Sequence, residues 1–320
     1  MKLELQQVKS LGERIKSNIS RVIVGKDDII DLVIISLFCS GHVLLEDVPG
    51  VGKTMLAKCL ARSIDCEFKR IQFTPDLLPT DLTGINYFDQ KQGEFVFRQG
   101  PIFTNIILAD EINRATPRTQ SSLLECMEER QVTIDGDTKI LAKPFFVIAT
   151  QNPVETQGTF PLPEAQLDRF MMRLRMGYPT AQEGKEILDR FQAKTSSVDI
   201  DTVASSEEIV EAQEAFASVR VNDAVKDYII SIIEATRNHE KIILGVSPRG
   251  SLALMKAAQV YAALKGRDYV IPDDVKHLAL PVLAHRIILR GHAVTTKGIK
   301  PSEAVLSDIL KEIPVPTEEI

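Results

Sequence analysis

Five short, strongly apolar segments occur within the first 180 residues, and they alternate with segments whose apolar residues have helical spacing. The five segments are His42–Glu46, Phe68–Phe73, Ile106–Ala109, Phe145–Thr150 and Phe170–Met176. Four of them contain few polar residues, which is typical of strands buried on both faces of a sheet. The alternation of such strands with helices predicts an α/β fold built on a doubly wound parallel sheet.

Two further segments have the alternating pattern of more exposed strands. Gly93–Pro101 alternates polar and apolar residues between glycines, and Gln131–Leu141 alternates around Asp135-Gly136. An Asp-Gly pair is a strong signal for a two-residue hairpin turn. We therefore predict two β-hairpins inserted into the α/β core.

The pattern becomes helical after Gly177–Pro179. Ser205 and Glu208 have the spacing of a capping box, and Asn222 and Ser247 are predicted N-caps of later helices. We predict an α/β domain over residues 1–180, which includes an amphipathic N-terminal helix, and an all-α domain over residues 181–320.

The composition argues against several functional classes. The 320 residues carry a net charge of −6 and no tryptophan, which disfavours a nucleic-acid-binding surface. The four cysteines lack metal-ligand spacing and indicate a reducing compartment. The N-terminus lacks the apolar region of a signal peptide, and the longest apolar stretch, Leu32–Cys39, is too short to span a membrane. We predict a cytoplasmic protein without a membrane span. The histidines are interpreted as structural: His42, His239, His277, His285 and His292.

An apolar strand leads into Gly50-Val51-Gly52-Lys53-Thr54, and a helical pattern follows. Glycines allow backbone N–H groups to close around phosphate, and the helix N-terminus favours negative charge. Lys53 is expected to reach the β- and γ-phosphates, and Thr54 is expected to ligate Mg²⁺. The segment predicts a site for ATP and Mg²⁺; the alternative is an ordinary surface turn.

The phosphate-loop pattern GxxxxGK[ST] places its first glycine at Asp47 in this chain. Aspartate tolerates the left-handed backbone conformation better than most residues. The loop can therefore still form with aspartate at this position.

Two other buried strands end in polar residues. Ile106–Ala109 leads into Asp110-Glu111, and Phe145–Thr150 is followed by Asn152. Asp110 is predicted to hold Mg²⁺ beside Thr54, and Glu111 to polarise the attacking water. Asn152 is predicted to orient that water or contact the γ-phosphate. The alternatives are a solvated acidic turn for the first pair and a simple turn former for Asn152.

Several segments together resemble the MoxR family of AAA+ ATPases, over about residues 10–315. Besides the phosphate loop, the matching segments are Val24–Lys26, Phe73–Pro79, Asp110–Ala115, Ala149–Pro153, Leu162–Phe170 and Ser247–Arg249. The resemblance implies that Val24 and Gly25 lie near adenine and that Asn152 is sensor 1. It also implies that the all-α domain is a lid, from which Arg249 reaches the γ-phosphate as sensor 2.

The resemblance further implies that Arg169 is an arginine finger donated to the next subunit. Such a finger stabilises charge that grows on the transferring phosphate. Arg173 is the alternative finger. Arg169 could instead be a surface ion-pair partner of Glu164 or Asp168.

A finger acting between subunits implies a homo-oligomer, by family resemblance a hexameric ring, either stable or dependent on ATP. The family resemblance implies a chaperone that remodels, matures or inserts metal into partner proteins, often ones with von Willebrand factor A domains. The alternatives are a nucleic-acid-stimulated motor and a nucleotide-dependent scaffold or switch. Phe95 and Phe97 could line the pore of such a ring or pack within their own domain.

Overall fold

The computed structural model describes residues 3–153, 158–192, 200–290 and 300–316. The helices are α1 (Leu5–Ser20), α2 (Asp27–Phe38), α3 (Lys53–Ser63), α4 (Pro79–Thr83), α5 (Pro117–Glu129), α6 (Glu164–Leu167), α7 (Ala181–Gln192), α8 (Ser206–Ala215), α9 (Asp223–Asn238), α10 (Pro248–Leu264), α11 (Pro272–Leu283) and α12 (Pro301–Glu312). The strands are β1 (Val43–Glu46), β2 (Phe68–Gln72), β3 (Gly84–Asp89), β4 (Glu94–Gln99), β5 (Ile106–Asp110), β6 (Gln131–Ile134), β7 (Asp137–Ile140), β8 (Phe146–Gln151), β9 (Met172–Leu174), β10 (Ile242–Leu244) and β11 (Ile288–Leu289).

Five strands form one parallel sheet in the order β2-β5-β8-β1-β9. They are the five apolar segments of the sequence, and each predicted end lies within two residues of the observed one. The pairing of Leu44 with Ala149 and of Leu108 with Ile148 aligns the strand ends. Because all strands are parallel, the segments that follow them meet at one edge of the sheet.

Helices cover both faces of this sheet, as expected for a doubly wound fold. Val43 and Leu45 of β1 point into a large core shared with α1, α2, α3 and the later helices. Leu44 points into a second core with Leu123 and Leu124 of α5. This alternation follows from the two-residue period of a strand, which sends successive side chains to opposite faces.

Both predicted insertions form antiparallel hairpins. Asp135 and Gly136 have φ angles of 51° and 92°, the left-handed geometry expected for the turn between β6 and β7. The other hairpin pairs β4 with β3, so Gly93–Pro101 supplies only its second strand and the prediction missed the first. Phe97 packs against Phe103 and the Lys139 ammonium, whereas the side chain of Phe95 remains 73 % exposed.

The later residues are mainly helical, as predicted. Ser205 and Glu208 form the capping box of α8, and Asn222 and Ser247 cap α9 and α10. One short antiparallel ribbon, β10 with β11, was not predicted. The N-terminal helix α1 packs against α10, so the two halves of the chain share one core. The domain division at residues 180 and 181 stays a prediction, and His292 lies outside the described residues.

Among the described residues, no helix has the length and apolar character required to cross a membrane.

Two histidines are buried and structural. His42 precedes β1, where its Nδ1 accepts a hydrogen bond from the Val147 N–H at 3.0 Å, and its Nε2 donates to the Met127 carbonyl at 3.1 Å. Burial and the neighbouring Arg130 cation hold the pKa of His42 well below its usual value. Burial and the adjacent Arg286 lower the pKa of His285 in the same direction.

The buried histidines make the free energy of unfolding depend on pH. Both are neutral in the folded protein but titrate near pH 6.5 when unfolded, so their contribution is complete above pH 6.5 and decreases below it. Between pH 7.5 and 5.5 each should lower the free energy of unfolding by about 1.4 kcal/mol. Urea unfolding at several pH values measures this decrease. The His42→Gln variant should lose about half of it, and an identical pH slope in that variant would contradict the assignment.

Candidate functional site: a phosphate-binding cleft and a distant arginine pair

The loop between β1 and α3 has the geometry of a phosphate cradle. Gly50 and Gly52 have φ angles of 86° and 97°, which non-glycine residues rarely adopt. A Cβ atom placed on Gly50 would meet nothing within 4 Å, so the backbone there faces open space. Gly52 is also the N-cap of α3, whose N-terminal N–H groups therefore point towards the same space.

This loop borders a cleft of about 450 Å³ at the carboxyl edge of the sheet. The cleft is lined by Pro49, Gly50, Gly52, Lys53, Thr54, Met55, Lys58, Arg70, Gln72, Asp110, Glu111 and Asn152. The structure thus brings together the predicted phosphate loop, the acidic pair and Asn152. The Thr54 hydroxyl and the Asp110 carboxylate provide the oxygen ligands that Mg²⁺ prefers, usually together with substrate phosphates.

Lys53 has partners within its own loop. Its Nζ donates hydrogen bonds to the carbonyls of Asp47 at 2.8 Å and Val48 at 3.2 Å. Partial burial lowers the pKa of Lys53, while the nearby carboxylates of Asp47, Asp110 and Glu111 oppose that shift. The ammonium therefore lies in a site that favours an additional negative group.

Thr150 joins the two acidic residues. Its hydroxyl donates to Asp110 Oδ1 at 2.6 Å and accepts the Glu111 N–H at 2.8 Å. Glu111 has a φ of 57°, a left-handed conformation that is uncommon outside glycine. Backbone strain of this kind is concentrated at functional sites.

Sequence reasoning missed two residues of β2 that contact the acidic pair. Arg70 donates from Nε and Nη2 to Asp110 Oδ2, at 3.1 and 2.7 Å. Gln72 donates to Glu111 Oε2 at 2.8 Å. The available signal was that Arg70 and Gln72 are polar residues two positions apart, which places them on one face of β2. Gln72 pairs in register with Asp110 of the neighbouring parallel strand.

The loop forms without a left-handed backbone at Asp47, which is not among the residues with positive φ. The Asp47 side chain, which is buried, instead accepts hydrogen bonds from the backbone N–H groups of Met176 and Gly177. Aspartate at this position therefore ties the phosphate loop to the segment that follows β9.

Val24, Gly25 and Val51 do not line the cleft itself. A Cβ atom on Gly25 would collide with the Glu183 side chain of α7, and Lys26 donates to the Tyr178 carbonyl at 3.2 Å. Val51 packs against the large core. The adenine role of Val24 and Gly25 stays a prediction.

Arg169 and Arg249 lie together near the amino ends of the strands, at the end of the sheet opposite the cleft. Both contact the carboxylate of Glu128 at the end of α5: Arg169 Nε lies 3.2 Å from Oε2, and Arg249 donates to Oε1. The pocket around them is also lined by Gly41 and His42, which precede β1. Arg169 thus pairs with Glu128 rather than with Glu164 or Asp168.

Arg249 does not reach the phosphate loop of its own chain, which corrects the expectation drawn from the family resemblance. Gly41 and Asp47 lie at opposite ends of β1, roughly 20 Å apart at the usual rise of a strand. An arginine side chain is much shorter than this separation. The helical region places Arg249 near the amino ends of the strands, where it lies beside Arg169.

Arg173 is a poor candidate for a finger. It lies within β9, and its side chain is only 12 % exposed. Its guanidinium lies 3.9 Å from Glu46 and 3.8 Å from Glu303, in a network that also includes Lys300.

Residues 42–172 match the ATPase family associated with various cellular activities (AAA), and residues 234–309 match the AAA lid domain. The Chaperone MoxR1 of Mycobacterium tuberculosis is 42 % identical over 95 % of this chain and 82 % of its own length. This chain belongs to the MoxR family of AAA+ ATPases. The uncharacterized protein YeaC of Bacillus subtilis is 53 % identical over 96 % of this chain and 95 % of its own length.

The fold of this MoxR-family ATPase is also similar to a solved structure. The crystal structure of a candidate ATPase from Cytophaga hutchinsonii superposes with a TM-score of 0.89 and 37 % identity, over 98 % of this chain and 97 % of that one. The predicted fold class, a doubly wound AAA+ domain followed by a helical lid, is therefore confirmed. Membership of this family implies nucleotide binding.

Asp47 provides a test of how this MoxR-family loop is held. Asp47→Gly restores the standard first glycine but leaves the N–H groups of Met176 and Gly177 without their acceptor. We expect it to lower the free energy of unfolding by about 2 kcal/mol and to weaken ATP binding. Asp47→Asn, which keeps one acceptor, should have a smaller effect. Thermal unfolding and ATP titration measure both, and tighter binding by the glycine variant would refute the tether.

Proposed function

We propose that this chain hydrolyses ATP with Mg²⁺ in a ring of identical subunits and uses the turnover to remodel partner proteins. The observation that carries this proposal is the convergence of Lys53, Thr54, Asp110, Glu111 and Asn152 on one cleft. A scaffold that only binds nucleotide would not require a water-polarising carboxylate beside the metal ligand. The unpaired cysteines suit the reducing environment of the cytoplasm.

Each residue of the cleft has a distinct role in this proposal. Lys53 leaves the carbonyls of its loop and binds the β- and γ-phosphates. Thr54 and Asp110 would hold Mg²⁺, which would neutralise charge on the phosphate oxygens. Glu111 orients and polarises the attacking water, and Asn152 contacts that water or the γ-phosphate.

Arg169 and Arg249 complete the cleft of a neighbouring subunit. They converge on one carboxylate of their own chain, the arrangement that two guanidiniums would adopt around an anionic phosphate. Since the two ends of the strands differ, such a contact joins unlike surfaces. Repeated unlike contacts form a ring when the rotation between subunits closes. A hexamer, stable or assembled with ATP, fits this arrangement.

The process that ATP hydrolysis drives is proposed from the similarity of this chain to named relatives. A relative with 42 % identity is named a chaperone, which favours remodelling, maturation or metal insertion of protein clients over movement of nucleic acid. The net charge of −6 supports the same choice. Von Willebrand factor A domain proteins are the proposed partners. Exposed Phe95 at the hairpin is a better candidate for client contact than the packed Phe97.

The first test is the ATPase rate as a function of protein concentration. The rate per subunit should rise with concentration, because each cleft requires a neighbour. Glu111→Gln should bind ATP but hydrolyse it about 10³-fold more slowly. Glu125→Gln, an exposed glutamate of α5, is the matched control and should behave like the wild type. A wild-type rate equal to that of Glu111→Gln would reject the enzyme for the isolated chain.

The second test separates the two halves of the site by mixing subunits. Lys53→Ala lacks a working cleft, and Arg169→Ala should lose about 10³-fold or more in rate while retaining ATP binding. Each variant supplies what the other lacks, so an equal mixture should recover roughly a quarter of the wild-type rate if subunits combine at random. A mixture as inactive as its components would reject an arginine acting between subunits.

A further inference from the structure

Arg169 and Arg249 come from distant parts of the chain, yet they lie side by side. Arg169 follows α6, while Arg249 lies in the first turn of α10. One residue contacts the segments that carry both of them. Asp168 directly precedes Arg169, and its Oδ2 accepts a hydrogen bond from the Ser247 hydroxyl at 3.1 Å. Ser247 is the N-cap of α10 and lies two residues before Arg249.

The other oxygen of Asp168 is held by a buried cation. Arg286 Nε donates to Asp168 Oδ1 at 2.7 Å, and the Arg286 side chain is only 2 % exposed. A buried guanidinium requires a paired carboxylate, because an unpaired charge in the interior is strongly unfavourable. The ion pair with Arg286 therefore fixes the position of the Asp168 carboxylate, although its side chain is 22 % exposed.

Arg286 also fixes the backbone on both sides of Arg169. Its Nη2 donates to the carbonyls of Asp168 at 3.2 Å and Phe170 at 2.7 Å, and its Nη1 donates to the Met171 carbonyl at 3.2 Å. His285 Nε2 lies 3.1 Å from the same Phe170 oxygen. The short loop from α6 to β9 is thus anchored to the residues that follow α11.

We infer that Asp168, held by Arg286 and Ser247, is a positioning residue. It fixes Arg169 and Arg249 relative to each other, so that both can contact the phosphate of a nucleotide bound by a neighbouring subunit. The inference rests on the proposed action of these arginines between subunits. Charged groups stabilise a transition state best when their positions are determined beforehand. A displacement of about 1 Å can cost on the order of 10²-fold in rate, so the anchor should matter for catalysis as well as for folding.

The variant Asp168→Ala tests the inference. It leaves every residue of the cleft intact, so KM for ATP should change little. Its kcat, measured at saturating protein concentration, should fall about 100-fold. Ser247→Gly keeps the Asp168–Arg286 pair. It removes the hydrogen bond to Asp168 together with the side-chain cap to the Gly250 N–H, and glycine is tolerated as an N-cap. This second variant should fold normally and lose about tenfold in kcat.

Asp274→Ala is the matched control for stability. Asp274 is a buried aspartate that, like Asp168, is paired with an arginine, here Arg267 at 2.6 and 2.8 Å, but it lies at the start of α11. Its loss should lower the melting temperature without lowering the kcat of the folded protein. A kcat decrease in Asp168→Ala and not in Asp274→Ala therefore cannot come from stability alone.

Mixing variant subunits shows whether Asp168 acts on the cleft of its own chain or on that of a neighbouring subunit. An equal mixture of Asp168→Ala with Lys53→Ala should recover roughly a quarter of the wild-type rate, because the Lys53→Ala chains donate correctly set arginines. No recovery here, together with recovery in the mixture of Arg169→Ala and Lys53→Ala, would overturn the inference and leave the proposed function standing. A near-normal kcat for Asp168→Ala would do the same. Failure of both mixtures would reject the proposed function as well.

Discussion

The parallel pairing of β1 with β8 on one side and β9 on the other determines where every functional group of this chain lies. Both faces of β1 are buried, so its side chains cannot contact a substrate. The functional groups must therefore lie in the segments at its two ends. The carboxyl end leads into the phosphate loop. The adjacent strand β8 and the next strand, β5, bring Asn152 and Asp110 to the same end of the sheet. The amino end, anchored by His42, borders the pocket of Arg169 and Arg249. One strand thus separates the two halves of the proposed catalytic site.

The charged groups at both edges have partners within the chain. Lys53 contacts carbonyls of its own loop, Asp110 contacts Arg70, and Glu111 contacts Gln72. At the opposite edge the arginine pair contacts Glu128. Charges that were left unpaired in partly buried sites would be costly, and these contacts avoid that cost. In the proposed function, nucleotide binding and subunit assembly would therefore both exchange existing polar contacts for new ones.

The helical region contributes to the site by packing behind the sheet. Helix α1 contacts α10, and Arg286 reaches carbonyls of the loop that precedes β9. These contacts join the helical region to the sheet near the amino ends of the strands. A displacement of this region would therefore reach Arg169 and Arg249. The contact of Lys300 with Glu46 would also carry it to the end of β1 that leads into the phosphate loop.

Local signals in the sequence determined the strands of the parallel sheet, the Asp135-Gly136 turn, the helix caps, and the phosphate loop, acidic pair and Asn152 of the cleft. These features depend on periodicity and on backbone geometry within a few residues, which a sequence displays directly. The first hairpin was only half recognised, because β3 lacks a clear alternation of polar and apolar residues. The tertiary structure alone decided the roles that depend on distant partners. Asp47 contacts Met176 across 129 positions, and Arg249 contacts Glu128 across 121. Such pairs depend on how complete elements pack, and residue spacing along the chain carries no record of that packing.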